Sequence, residues 1–253
     1  MGFNWRTFAI MAAVALVLYG AACLVLFVSQ RSMIYYPTPK PRANAHVLTL
    51  PIDDAQVLVS GRPHPGTEAV IYFGGNAEDV SATLPTLEQA FPESAVYALH
   101  YPGYGGSTGK PSERALLSAA FALFDQVHAE HPSIVVIGRS LGSGVAVHLA
   151  SQRPVARLIL VTPYDSLERI AARQFPYFPI RWLMLDKFES WRYASRVSAP
   201  TLLIAAEHDE VIPFQSTESL YRNFKPGVAR LTIVKGVSHN SISESADYIP
   251  LLR

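Results

Sequence analysis

Ile134-Val135-Val136-Ile137-Gly138-Arg139-Ser140-Leu141-Gly142-Ser143-Gly144 is the segment around which the other parts of the chain fall into place. Its run of β-branched apolar residues predicts a buried strand. The strand ends in Gly138-x-Ser140-x-Gly142, and a helix is expected from Leu141 to about Ser151. A Gly-x-Ser-x-Gly string arises by chance in many chains, but between a strand and a helix it describes a nucleophile elbow. The turn there is tight enough to hold the serine in a strained conformation with its hydroxyl projecting. The flanking glycines have no Cβ to strike the neighbouring strand or helix, and Gly144 lets the helix pack closely. The competing reading is a glycine-rich strand-to-helix turn in which Ser140 is an N-cap.

At 253 residues, the chain can build one substantial domain with a large core. A net charge of +1 points to neither nucleic acid nor a polyanionic substrate. The 19 prolines and 15 glycines are dispersed, with no low-complexity linker and no internal repeat. Cys23 is the one cysteine, so no disulfide and no cysteine-based metal site is expected.

From Thr7 to Val28 no residue is charged. As a helix this segment is about 33 Å long, enough to cross a hydrocarbon core of about 30 Å. Trp5 and Arg6 precede it; Gln30, Arg31, Tyr35 and Tyr36 follow it in a pattern that suits an interfacial belt. A single-pass membrane anchor over residues 1–31 is the expectation, with the side of the membrane left open. A cleaved signal peptide is the alternative, although the apolar run is long for one. Gly2 does not make a myristoylation site, because Arg6 stands where Ser or Thr is needed.

Residues 32–45 read as an extended linker, with Ile34 to Pro41 a stiff proline-rich spacer. His46–Leu50 and Gln56–Val59 predict a hairpin turning at Asp53-Asp54. Further strands are expected at Ala69–Phe73, Ala95–Leu99, Leu158–Val161, Thr201–Ala205 and Leu231–Val234. Helices are expected over Glu78–Phe91 (its first half doubtful at Pro85), Pro111 to about Glu130, Gln215–Asn223 and after Ser241. Strands that alternate with helices predict an α/β fold: a mostly parallel eight-stranded sheet with helices on both faces and an antiparallel edge. In such sheets, sites form at the carboxyl ends of the strands.

A serine hydroxyl needs a base, and the base needs an orienting acid. Of the 8 histidines, His46, His64, His128 and His131 read as solvated, and His148 points away along the elbow helix. His100 ends a strand and is the second candidate. His239, in Gly236-Val237-Ser238-His239-Asn240, alone gives the order serine, acid, histidine that accompanies such an elbow. Ala205 to Pro213 supplies the acid: Asp209 is preferred, with Glu207 and Glu210 read as solvated loop charges. Asp165 is the rival acid, although an N-cap for the helix through Leu167–Arg173 is its simpler role. An oxyanion would require two backbone donors, the N–H groups of Leu141 and of the loop after the third strand near Asn76.

Ile34-Tyr35-Tyr36-Pro37, Phe73-Gly74-Gly75-Asn76-Ala77, Tyr101-Pro102-Gly103-Tyr104-Gly105-Gly106-Ser107 and Pro111-Ser112-Glu113 carry a resemblance, together with the elbow. Thr162-Pro163-Tyr164-Asp165-Ser166, His208-Asp209-Glu210-Val211-Ile212-Pro213 and Ser238-His239-Asn240 extend it. From about Ile34 onward the chain resembles the α/β-hydrolase superfamily, in the serine-hydrolase branch often tethered by an N-terminal helix. It is similar to the eukaryotic α/β-hydrolase domain-containing proteins. The resemblance implies an α/β-hydrolase domain over 46–253, a triad of Ser140, Asp209 and His239, and an oxyanion hole at Asn76 and Leu141. The family usually has His-Gly where this chain has Gly74-Gly75, so a looser oxyanion loop is expected.

Residues 165–196 read as a small helical cap, with Phe175-Pro176-Tyr177-Phe178-Pro179 and Trp182-Leu183-Met184-Leu185 either walling an acyl chain, with some of them touching the membrane, or packing on the core. The expected activity is a serine hydrolase that cleaves a carboxylic ester or thioester through an acyl-enzyme intermediate. No metal or organic cofactor is implied. Because family members include enzymes that remove fatty acyl groups from protein cysteines, the expected partners are a lipid-like acyl substrate, free or on a protein, and a membrane. An amidase or peptidase on the same fold, and a non-catalytic interaction module, are the competing readings.

Overall fold

The computed structural model describes residues 4–39 and 46–253. Among them one sheet has eight strands: β1 (His46–Ile52), β2 (Ala55–Arg62), β3 (Glu68–Phe73), β4 (Ala95–Leu99), β5 (Ser133–Arg139), β6 (Arg157–Val161), β7 (Thr201–His208) and β8 (Ala229–Ser238). Their order is β1-β2-β4-β3-β5-β6-β7-β8. β1 and β2 pair as a hairpin and β2 is antiparallel to β4, while the remaining neighbours are parallel. The helices are α1 (Trp5–Ile34), α2 (Leu84–Ala90), α3 (Glu113–His128), α4 (Leu141–Ala150), α5 (Leu167–Gln174), α6 (Ile180–Leu183), α7 (Trp191–Ala194), α8 (Phe214–Asn223) and α9 (Tyr248–Leu252).

The period of two along each strand divides the core between the two faces. On β3, Ile71 and Phe73 pack with α3 and α4, while Val70 and Tyr72 pack with α2 and α9. α3 buries Leu116, Ala119, Ala120, Leu123, Phe124 and Val127 at helical spacing, and Ser112 caps it by accepting from the Ala115 N–H at 3.2 Å. The single helix expected over 78–91 is instead a 3₁₀ turn, Val80–Thr83, followed by α2 with Pro85 in its first turn, where a missing N–H costs nothing.

The N-terminus departs most from expectation. α1 runs unbroken to Ile34, and its last turns pack against the cap instead of leading into a spacer. The Gln30 side chain donates to the Leu183 carbonyl at 3.1 Å and accepts from the Leu185 N–H at 2.7 Å. Arg31, expected at a lipid interface, pairs with buried Asp186 at 2.9 Å, and Tyr35 is buried in the core. Residues 34–39 are therefore a strap laid on the domain. The expectations for Gly2, residues 40–45 and the His46 side chain lie outside the described residues.

Candidate active site

The carboxyl ends of β3, β5, β7 and β8 lie along one edge of the sheet and supply one part each. At the end of β5, Ser140 has φ 48° and ψ −116°, a conformation disfavoured for any residue with a Cβ. Its N–H donates to the Val161 carbonyl at 2.8 Å, and its carbonyl accepts from the Ser143 N–H at 2.9 Å. The glycines are sterically required. A Cβ on Gly138 would press on the Gly142 carbonyl and on Ala146, and one on Gly142 would collide with the Phe73 carbonyl. Ser140 makes no side-chain cap bond, so the N-cap alternative fails.

Asp209 follows β7 in a turn that its own side chain builds: Oδ1 accepts from the N–H groups of Val211 at 2.9 Å and Ile212 at 2.6 Å. His239 follows β8. Its Nδ1 lies 3.0 and 2.9 Å from the two Asp209 oxygens, and its Nε2 lies 3.0 Å from the Ser140 Oγ. A carboxylate only accepts, so Nδ1 carries the proton and Nε2 is left to accept from the serine hydroxyl. The structure thus brings Ser140, His239 and Asp209 together, with the latter two side chains buried.

The rival residues stand elsewhere. His100 bonds to Ser60 at 2.7 Å beneath Gly105. His131, expected in solvent, is buried, with Nδ1 2.9 Å from the Gly66 carbonyl and Nε2 3.3 Å from the Tyr97 hydroxyl. His148 stacks on Tyr193. Asp165 is not the N-cap of α5, because Ser166 is; Asp165 accepts from Ser216 Oγ at 2.5 Å and pairs with Arg169 at 2.6 Å. Glu207 and Glu210 are both exposed, as expected, and each also accepts one backbone bond: Glu210 from the His239 N–H at 3.2 Å, and Glu207 from the Gly236 N–H at 2.9 Å.

Leu141 opens α4, so its N–H has no acceptor within the helix. Asn76, in the loop after β3, lines the same cavity as Ser140 and Leu141. The loop is not loose. Glu78 Oε2 accepts from the Gly75 N–H at 2.6 Å and from Arg139, the residue before Ser140, at 3.1 Å. Glu78 Oε1 accepts from the Tyr72 hydroxyl at 2.6 Å and from Thr83 at 2.8 Å. Burial is the largest influence on Arg139 and lowers its pKa, but the charge and hydrogen bond of Glu78 together with Tyr72 and Tyr248 outweigh it, and the net shift is upward. Burial also raises Tyr72, and Tyr104 to about 12, which keeps both hydroxyls protonated as donors. The strap adds the Tyr36 N–H, which donates to Asn76 Oδ1 at 2.9 Å. A side chain at Gly74 would press on Val80 and come within 3.3 Å of Glu78, whose carboxylate makes the bonds that hold the loop here. Sequence reasoning missed this glutamate; the absent histidine was the signal that something else had to hold the loop.

Above Ser140 lies a cavity of about 260 Å³, walled mostly by apolar side chains. Of the cap segments 175–179 and 182–185, Phe175, Leu183 and Met184 line the cavity while the rest of those segments does not, and Leu167 and Ile170 of α5 join them. Leu26, Met33 and Ile34 come from α1, which sequence alone did not place here. Among the described residues no cluster of side chains suits a metal ion.

A mostly parallel sheet with a strained serine between a central strand and its helix defines an α/β-hydrolase. Residues 117–246 match the family model described as serine hydrolase, and the chain belongs to that family. An uncharacterized protein of Mycobacterium tuberculosis is 35% identical over 93% of this chain and 89% of its own length. The α/β-hydrolase domain-containing protein aho-3 of Caenorhabditis elegans is 35% identical over 76% of this chain and 58% of its own length. Among solved structures, the Pyrococcus furiosus esterase Pf2001 superposes with a TM-score of 0.68 at 17% identity, over 83% of this chain and 93% of that one. Mouse α/β-hydrolase domain-containing protein 10 gives 0.65 at 16% identity, over 81% of this chain and 94% of that one. At such identities these structures attest the fold alone.

Proposed function

We propose that the chain is a membrane-anchored hydrolase of carboxylic esters or thioesters with an apolar, lipid-like acyl group. The observation that carries this reading is the apolar cavity between cap and α1, with the Ser140 hydroxyl at its base and His239 behind it. Ser140 Oγ attacks the acyl carbonyl as His239 Nε2 takes its proton. Asp209 holds the ring and stabilises the imidazolium. The negative oxygen of the tetrahedral intermediate accepts from the N–H groups of Leu141 and Asn76. His239 then gives its proton to the departing alcohol or thiol, leaving acyl-Ser140. Water, deprotonated by the same nitrogen, releases the carboxylic acid and restores the serine.

α1 is, among the described residues, the one helix long and apolar enough to cross a membrane. We read it as an anchor and not a cleaved leader, because Gln30, Arg31 and Met33 are built into the cap and the cavity wall. The acyl group can sit on a small alcohol or on a protein cysteine, since the leaving group stays outside the apolar wall.

The first test is labelling with a fluorophosphonate. Wild type reacts and Ser140→Ala does not; a folded wild type that stays unlabelled refutes the enzymatic reading in favour of a binding module. A second test compares p-nitrophenyl esters, thioesters and anilides over chain length. Preference for anilides would replace the ester reading with an amidase.

A further inference from the structure

Tyr19 lies in the middle of the uncharged part of α1, yet it touches the cap. Its hydroxyl donates to the Tyr177 carbonyl at 2.8 Å, and its ring stacks on Phe178 with centroids 5.7 Å apart. Along a helix, Thr7 to Tyr19 covers about 18 Å, and Tyr19 to Val28 about 14 Å. Neither half alone crosses a hydrocarbon core of about 30 Å. If the helix spans, the Tyr19 contact draws the 175–178 turn of the cap below the membrane surface.

The surface presented there suits lipid. Tyr177 is 86% exposed, Trp182 84% and Leu185 54%. Amphipathic rings of this kind favour the headgroup boundary. Arg173 and Arg181 are exposed beside them and can reach lipid phosphates while their stems stay in apolar surroundings. Backbone groups that lipid would leave unpaired are already served by α1: the Tyr177 carbonyl by Tyr19, the Leu183 carbonyl and Leu185 N–H by Gln30. The cavity also reaches this level, since Leu26 of the uncharged segment and Ser140 line the same space.

The geometry points to a cap seated in the bilayer: Tyr177, Trp182 and Leu185 form a lipid-docking face beside α1, and the acyl chain passes from the membrane along the α1–cap seam to Ser140. This rests on α1 spanning a membrane, as proposed above.

Two single-tryptophan chains, full length and in phosphatidylcholine vesicles with brominated acyl chains, separate the two claims. One retains Trp182 (Trp5→Phe, Trp191→Phe); the other carries Leu16→Trp with all three native tryptophans changed to Phe. Both are expected to lose most of their emission to bromine, with Trp182 shielded from aqueous iodide. Quenching at position 16, with Trp182 reached by iodide and not by bromine, overturns the cap inference and leaves the anchor standing. Quenching at neither position overturns the anchor and this inference with it. If a single-tryptophan chain fails to fold, the difference between wild type and Trp182→Phe carries the same reading. Separately, Trp182→Glu is expected to slow turnover of a vesicle-borne long-chain ester while sparing p-nitrophenyl acetate; equal effects on the two substrates count against the docking face.

Discussion

Glu78 offers the most quantitative test of the proposed site, because one carboxylate ties the loop before Asn76 to Arg139, the neighbour of Ser140. Glu78→Ala would remove four hydrogen bonds and leave Arg139 without its partner. The two side chains are 17% and 10% exposed, so the pair is largely buried. Removing one partner of a buried pair costs about 3–5 kcal/mol, and the remaining exposure favours the lower end, about 3 kcal/mol. In a protein of this size that lowers the melting temperature by about 6–12 °C. Freed of its brace, the loop no longer holds the Asn76 N–H in place, and losing one oxyanion donor costs about 10²–10³ in kcat. Glu78→Gln keeps the shape: its oxygen can face Gly75 and Arg139, while its amide donates to the two hydroxyls. Only the charge is lost, at about 1–2 kcal/mol, and kcat stays within about tenfold of wild type. Thermal melts in detergent and turnover of p-nitrophenyl butyrate measure both quantities. A Glu78→Ala protein that melts early yet keeps wild-type kcat would refute the link between the brace and the oxyanion donor.

Asp209→Asn is expected to lower kcat by about 10⁴ through loss of the imidazole tautomer. Asp165→Asn should lower the melting temperature with turnover unchanged, and the reverse outcome in kinetic assays would exchange the two assignments. Gly142→Ala drives a methyl group into the Phe73 carbonyl, which is backbone and cannot swing aside; a cost of about 3 kcal/mol or more should appear as poor yield of folded protein. Burial raises the Glu113 carboxyl above its ordinary 4.5, although the N–H groups of Phe188 and Lys187 pull it down. The folded chain therefore holds that proton more tightly than the unfolded chain. Stability falls as pH climbs from 4.5 through the raised value and levels off beyond it. In melts from acid to neutral pH, Glu113→Gln should gain on wild type over that window; a constant difference would contradict the sign.

What was legible in the chain was local. β4 matches its expected bounds residue for residue, and the elbow was readable because strand, glycines, serine and helix are contiguous. His239 and Asp209 were reachable by chain order, since each follows a strand whose carboxyl end meets the elbow's. The errors arose where polar residues serve the fold. β7 continues through exposed Glu207 and His208, and the edge strand β8 through exposed Lys235 and Gly236 to Ser238, so the ends of both strands carry no continuous apolar signature. Asp165 and Ser166 are adjacent residues of cap-forming type, and only the direction of the chain decides which of them caps α5.

α1 was the harder case. None of its residues is buried, so its sequence has no stripe to announce a partner. Its docking runs through Tyr19 and Gln30 onto main-chain groups of the cap, and those groups are invisible in side-chain identities. Arg31 shows the consequence. Beside an apolar run it reads as an interfacial anchor, yet with Asp186 opposite it becomes the bolt between helix and cap. On the proposed function, α1 both crosses a membrane and walls the cavity over Ser140, which makes anchoring and substrate selection one structural problem. Cutting α1 away to obtain a soluble enzyme would then remove Leu26, Met33 and Ile34 from the cavity. Acyl-chain preference should relax in the truncated protein, whereas the hydrogen bonds of Ser140, His239 and Asp209, which touch no part of α1, should survive.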